Sequence, residues 1–216
     1  MENGLTISEA VAMLENICAN IVQNEPYLTE IDSETGDGDH GVGMKTGFLA
    51  VSAMLTGTNF TSVRTLFRDV GMKLIDSMGG ASGVLFGTLF ISGLQQIKND
   101  KYLMLGDFAN MLVDSMEAIM NRGGARVGDK TMVDALYPAV QAFRNAANQG
   151  GNFKYASFKA YIAAKEGMES TRPLMAKKGR ASTFNELSVG HLDAGAISVM
   201  LIFEAIWKTM KEGNMS

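Results

Sequence analysis

What most narrows the fold is where this chain can bend. Three prolines stand against 24 glycines in 216 residues, and the long proline-free stretches carry apolar residues at helical spacing rather than in strand-like alternation. Proline interrupts a helix by removing an N–H and clashing with the preceding turn, so its scarcity leaves long helices unopposed. The pattern therefore predicts an all-α chain. Thr6-Ile-Ser-Glu9 spells a capping box, and Val11, Leu14, Cys18 and Ile21 mark the buried face of the helix that follows. Ser62 is placed to cap a second helix with the stripe Val63, Leu66, Phe67, Val70 and Leu74. Further helices are predicted over Val42–Leu55, Ala81–Ile97, Asp107–Met120, Met132–Asn148, Tyr155–Glu169 and Ala194–Lys211, eight in all. No internal repeat or low-complexity linker divides them, so the expectation is one domain over residues 1–216, a helical bundle or barrel. The 16 methionines read as adaptable core filler.

Composition excludes several functions. With 46% apolar and 19% charged residues the chain folds rather than remaining disordered. A net charge of −4 with no run of lysines or arginines argues against a surface that tracks nucleic-acid phosphates. The longest apolar stretches, Val84–Leu94 and Ala196–Ile202, fall short of the roughly 18 residues a membrane span requires. The start, MENGLTISEA, has neither the basic nor the apolar region of a secretory signal. A single cysteine forms no internal disulfide, which fits a cytoplasmic location, and one Cys with two His leaves too few ligands for a typical zinc site.

Glycine concentrates in five junctions: Gly36–Gly43, Gly79–Gly83, Gly123–Thr131, Lys178–Ser182 and Gly190–Gly195. These also hold both histidines and several aspartates, which points to a ligand that approaches the main chain closely at helix starts. The densest of them follows Glu30-Ile-Asp32 and contains Asp37-Gly-Asp39-His40-Gly41. Carboxylates this close repel one another, and the glycines between them let the chain fold so that Asp32, Asp37 and Asp39 converge on a hard cation, Mg²⁺ or Ca²⁺. An EF-hand is ruled out because its fifth and twelfth positions would be Gly41 and Phe48. Mg²⁺ usually shares a few carboxylates with substrate phosphates, so a nucleotide is the expected companion. An acidic turn without metal is the competing reading.

The other junctions leave alternatives open. Gly79–Gly83 opens a helix that can hold an anion, with the Ser82 hydroxyl as an added donor, while Gly79, Gly83 and Gly87 at i+4 spacing equally suit close helix packing. Gly123 to Thr131 approaches a P-loop, but Asp129 intrudes and no strand precedes it; it forms part of a nucleotide pocket or a solvated helix start at Asp129 and Lys130. Arg180 reaches phosphate oxygens or lies in a bland basic loop. His191 and Asp193 open the last helix, where a histidine serves as cap, acid/base or positioning donor.

Taken in order, Gly-Asp-x-Asp-His-Gly, Gly-Gly-Ala-Ser-Gly, Gly-Asp-Lys-Thr-Met, Gly-Arg-Ala-Ser and Gly-His-x-Asp-x-Gly, from Gly36 to Gly195, resemble the ADP-binding L subunit family of dihydroxyacetone kinases. The resemblance implies a barrel of eight antiparallel helices with a nucleotide site at one end. It implies two Mg²⁺ ions on Asp32, Asp37 and Asp39, and ADP or ATP lined by His40, Gly41, Val42, Gly43, Ala81, Ser82, Gly123, Thr131, Met132, Arg180, Asp193, Ala194 and Gly195. Arg180 would be the catalytic residue. Gly43 stands where family members often have Asn, and Ala194 where Pro is common. It further implies a phosphoryl transfer to dihydroxyacetone held on a separate K subunit, with a phosphotransferase-system M subunit as phosphohistidine donor. A homodimer and contact with a transcriptional regulator are compatible with it. Alternatives are a regulatory nucleotide-binding module that senses phosphorylation state, the L subunit of a related ketose or erythrulose kinase, and a helical kinase or phosphatase acting alone.

Overall fold

The computed structural model describes residues 4–212. Among them are nine α-helices: α1 (Ile7–Gln23), α2 (Glu25–Thr35), α3 (His40–Gly57), α4 (Val63–Met78), α5 (Gly80–Ile91), α6 (Leu105–Gly123), α7 (Met132–Asn148), α8 (Phe153–Glu169) and α9 (Ala194–Glu212). The first begins at the capping box: Thr6 Oγ1 accepts the Glu9 N–H at 3.2 Å and Glu9 Oε2 accepts the Thr6 N–H at 2.8 Å. Ser62 caps α4 by accepting the Thr65 N–H at 3.4 Å. A strand pair, β1 (Gly4–Thr6) antiparallel to β2 (Tyr102–Met104), ties the start of α1 to the start of α6 and is the one departure from the all-helical pattern among the described residues.

Eight of the helices close a ring. α1 packs on α3, then each of α3 to α9 packs on the next, and α9 returns to α1. The chain reverses at each connection, so neighbours run antiparallel, as in an up-and-down bundle. The ninth, α2, packs on α3, α9 and a 3₁₀ segment at Arg180–Ser188 that is broken in the middle by Asn185. Sequence periodicity misses α2 because its buried residues, Leu28 and Thr35, do not make a stripe. The helix predicted to run to Ile97 ends at Ile91, since Gly93 turns left-handed at φ 79° and a short 3₁₀ turn, Leu94–Gln96, follows.

The ring encloses a core joined by aromatic contacts, with Phe108 edge-on to Phe143 at 5.4 Å and stacked on Phe153 at 6.1 Å. Cys18 belongs to it: burial pushes the thiol up to about 12. At the α4–α5 crossing a Cβ on Gly87 would lie 2.7 Å from the Gly71 carbonyl oxygen, so here the glycine spacing is a packing device. No described helix is long and apolar enough to cross a membrane.

Candidate functional site

Antiparallel closure has a direct electrostatic consequence. Alternate ring members α3, α5, α7 and α9 all start at the same end, and residues from each of those starts line a single cleft of about 510 Å³, a size typical of small-molecule sites. Four helix N-termini bring four positive dipole ends to one place. They are not equally satisfied. Thr131 caps α7 in a full capping box with Asp134, and Asp193 Oδ2 accepts the Ala196 N–H of α9 at 2.7 Å. Asp39 and Gly79, which precede α3 and α5, make no side-chain cap bond, so those first turns keep N–H donors to offer. The side chains of Met78, Leu85, Phe86, Ile119, Met132 and Val133 form the apolar part of the wall.

The acid lies at the start of α3, which Asp39 immediately precedes. Oxygens of Asp32, Asp37 and Asp39 lie within 4.8 Å of one another. Glycine makes this convergence possible: the chain turns at Gly38 with φ 72°, where a Cβ would lie 2.6 Å from Ser33 Oγ. Asp32 also accepts the His40 N–H at 3.2 Å, tying the last turn of α2 to the first of α3. Arg180 donates to Asp39 at 2.6 Å and pairs with Asp37, and this guanidinium holds the Asp37 carboxyl below its ordinary value. One cation against three carboxylates leaves the cluster negative, and an all-oxygen donor set of this kind suits a hard divalent ion such as Mg²⁺.

The cleft floor is formed by polar groups, His40 and Asp193 half-buried and Lys130 buried. His40 Nε2 lies 2.8 Å from Ser198 Oγ, and burial holds its ring below the usual histidine range. Burial pushes the Asp193 carboxyl up to about 7. Lys130, read from sequence as either part of a pocket or a solvated helix start, is only 1% exposed. Its ammonium donates to the Thr171 carbonyl at 2.7 Å and to the His191 carbonyl.

The structure brings Asp32, Asp37, Asp39, His40, Gly43, Ala81, Ser82, Gly123, Thr131, Met132, Arg180, Asp193, Ala194 and Gly195 to this one cleft. Gly41 and Val42 lie outside its lining. Gly41 is buried against α2, where a Cβ would lie 2.6 Å from the Thr29 nitrogen, and Val42 is 54% exposed. His191 is a rim residue, its Nδ1 2.9 Å from Glu34 Oε2. Sequence reasoning found Met132 but missed the rest of the apolar wall, because wall residues on α4, α5 and α6 carry the same periodicity as core, and it singled out the Lys178–Ser182 junction without naming Lys178 as a lining residue.

Fold and site together define a class: a helical ring whose glycine-walled, acid-edged cleft lies at one end. The chain belongs to the DAK2 domain family, whose model matches residues 34–208. It is 38% identical to the "PEP-dependent dihydroxyacetone kinase, ADP-binding subunit DhaL" of Escherichia coli (strain K12), over 90% of this chain and 93% of that one. It is 34% identical to the "PTS-dependent dihydroxyacetone kinase, ADP-binding subunit DhaL" of Lactococcus lactis subsp. lactis (strain IL1403), over 94% of this chain and 97% of that one. The crystal structure of the dihydroxyacetone kinase from C. freundii in complex with AMP-PNP and Mg²⁺ superposes with a TM-score of 0.70 at 25% identity. That match covers 95% of this chain and 34% of the other, so the chain spans about a third of that enzyme. The resemblance read from the five motifs and the all-helical fold agree with these findings.

Proposed function

We propose that this chain is the ADP-binding subunit of a dihydroxyacetone kinase, passing a phosphoryl group from a Mg²⁺-bound adenine nucleotide to dihydroxyacetone held on a separate K subunit. In this reading a phosphotransferase-system M subunit, carrying a phosphohistidine, restores the nucleotide. The observation that supports it is that one cleft holds both three carboxylates, gathered at the start of α3, and the uncapped N-terminus of α5. A lone anion site would lack the acids and a lone cation site would not need the helix starts. A metal–polyphosphate ligand uses both. The printed names of the relatives, which speak of ADP and of dihydroxyacetone kinase, point the same way.

Asp32, Asp37 and Asp39 would hold the metal, two Mg²⁺ ions in this reading. When bound, Mg²⁺ supplies charge neutralisation on the phosphate oxygens. The first turn of α5, at Ala81 and Ser82, would donate N–H groups to the phosphates, and the first turn of α3 lines the cleft beside it at His40 and Gly43. The apolar wall at Leu85, Phe86 and Met132 suits an adenine ring. Arg180 stands at the edge of the acidic cluster, where its planar fork of donors suits the oxygens of a phosphoryl group in transit. That group leaves the nucleotide's bridging oxygen and joins a substrate hydroxyl, whose proton is lost, and this chain forms no covalent bond. Phosphoryl transfer of this kind rests on positioning and charge.

The test is retention and turnover. Purified wild-type protein should carry adenine nucleotide visible by native mass spectrometry, and Asp37→Asn should lose it. With a K subunit and a phosphohistidine donor added, the wild type should form triose phosphate. Undiminished retention by Asp37→Asn would refute the metal assignment, and retention without turnover would favour a regulatory module instead.

A further inference from the structure

The sequence treats Lys130 as one letter of a Gly-Asp-Lys-Thr segment, but the structure gives it a distinct place. It is the one buried lysine among the described residues. Its backbone is left-handed at φ 59°, a conformation uncommon for a residue with a Cβ, and such outliers persist where the surroundings over-determine them. Burying an ammonium is unfavourable unless its donors are satisfied, and here main-chain carbonyls from two other segments do this, Thr171 after α8 and His191 before α9. Thr171 passes the constraint on: its hydroxyl accepts the Asp193 N–H at 3.1 Å. One side chain thus fastens three segments around the cleft floor, and its own neighbours Thr131 and Met132 line that cleft.

Resting on the nucleotide reading above, we infer that Lys130 is a positioning residue for nucleotide binding: its ammonium fixes the start of α9 and keeps the Asp193 carboxylate available to the ligand. The charges facing Asp193 are Asp134 from α7, Asp32 from α2 and Lys130 itself. Burial and the two aspartates favour the protonated acid, while the Ala196 N–H and Lys130 favour the anion. Asp193 Oδ2 is engaged by Ala196, and the second oxygen has no hydrogen-bond partner among the described residues. Removing the ammonium therefore has two effects. It frees the loop ends, and it postpones Asp193 ionisation to higher pH.

The experiment measures MgADP affinity by calorimetry from pH 6.5 to 9 for the wild type, Lys130→Met and Lys130→Gln. Wild-type affinity should rise through neutral pH. The variants should bind at least tenfold more weakly at pH 7, with the deficit shrinking as pH rises and Asp193 ionises late. Unchanged affinity, or a loss by the same factor at every pH as a merely structural role would give, overturns the inference while leaving the nucleotide reading intact. A wild type that binds no MgADP overturns both. Should neither variant fold, wild-type protein labelled with ¹⁵N-lysine decides: the Lys130 Nζ resonance should shift on MgADP addition and titrate in step with Asp193, and a resonance indifferent to both overturns the inference.

Discussion

At the scale of single residues, the cleft floor trades stability for a charge held in reserve. The Asp193 carboxyl loses its proton near 3.8 when unfolded but only near 7 when folded. Between those values the folded chain binds more protons than the unfolded one, so stability falls as pH rises from about 4 to 7 and stays low above. Asp193→Asn keeps an oxygen for the Ala196 N–H and removes the half-buried charge. We expect its melting temperature to exceed that of the wild type at pH 8, by no more than the equivalent of about 4 kcal/mol for a shift of this size, with the gap closing toward pH 4. Calorimetric melts across that range check it, and a gap that does not depend on pH would contradict it. The same substitution should weaken MgADP binding, so a gain in stability accompanies a loss of function, as is common at strained sites.

At the scale of elements, the closest helix contact sets how near the cleft segments lie. α7 and α8 pack on each other and both bury small residues, Ala135 and Ala139 on one, Ala160, Ala164 and Gly167 on the other, with Gly167 lying against Asp134 and Ala135. Pro138 has no N–H to give the Asp134 carbonyl, and a Cβ on Gly167 would strike that oxygen while lying 2.9 Å from Pro138 Cγ. Gly167→Ala must push the helices apart, and we expect it to cost about 3 kcal/mol, or roughly 6–12 °C in melting temperature by differential scanning calorimetry. An unchanged melt would show that the seam yields without strain. Elements differ in how legible they are from sequence. Caps at Thr6 and Ser62 and the stripes behind them act within a turn or two and were readable. α2 was not, because its carboxylates and Leu28 serve neighbours rather than a stripe of its own. The start signal it does carry is Pro26 in the first turn. Gly79–Gly83 shows two readings sharing one motif: Gly79 and Gly80 take positive φ at the cleft, while a Cβ on Gly83 would press on Met78 and Leu74.

At the scale of the whole molecule, an even-membered antiparallel ring gathers every second helix start at one end, and a ligand there touches segments from residue 32 to residue 195. Binding to the folded chain alone should stabilise all of it together. At a hundredfold excess of MgADP over its dissociation constant we expect about 2.7 kcal/mol of stabilisation, a rise of roughly 5–10 °C in melting temperature, reversed by EDTA. ADP that stabilises equally with and without the chelator would contradict the metal-linked site.

The sequence by itself determined eight of the nine described helices, most of their ends, and an acidic, glycine-hinged segment suited to a hard cation, because capping, periodicity and local charge act over a few residues. Tertiary structure alone decided which of those residues meet. Arg180 reaches Asp39 across 141 positions, and the two carbonyls that hold Lys130 lie 41 and 61 positions away. Whether a lysine in a glycine-rich junction faces water or a cleft floor depends on which distant carbonyls the closed ring brings within 3 Å of it, and no pattern within one turn of helix carries that information.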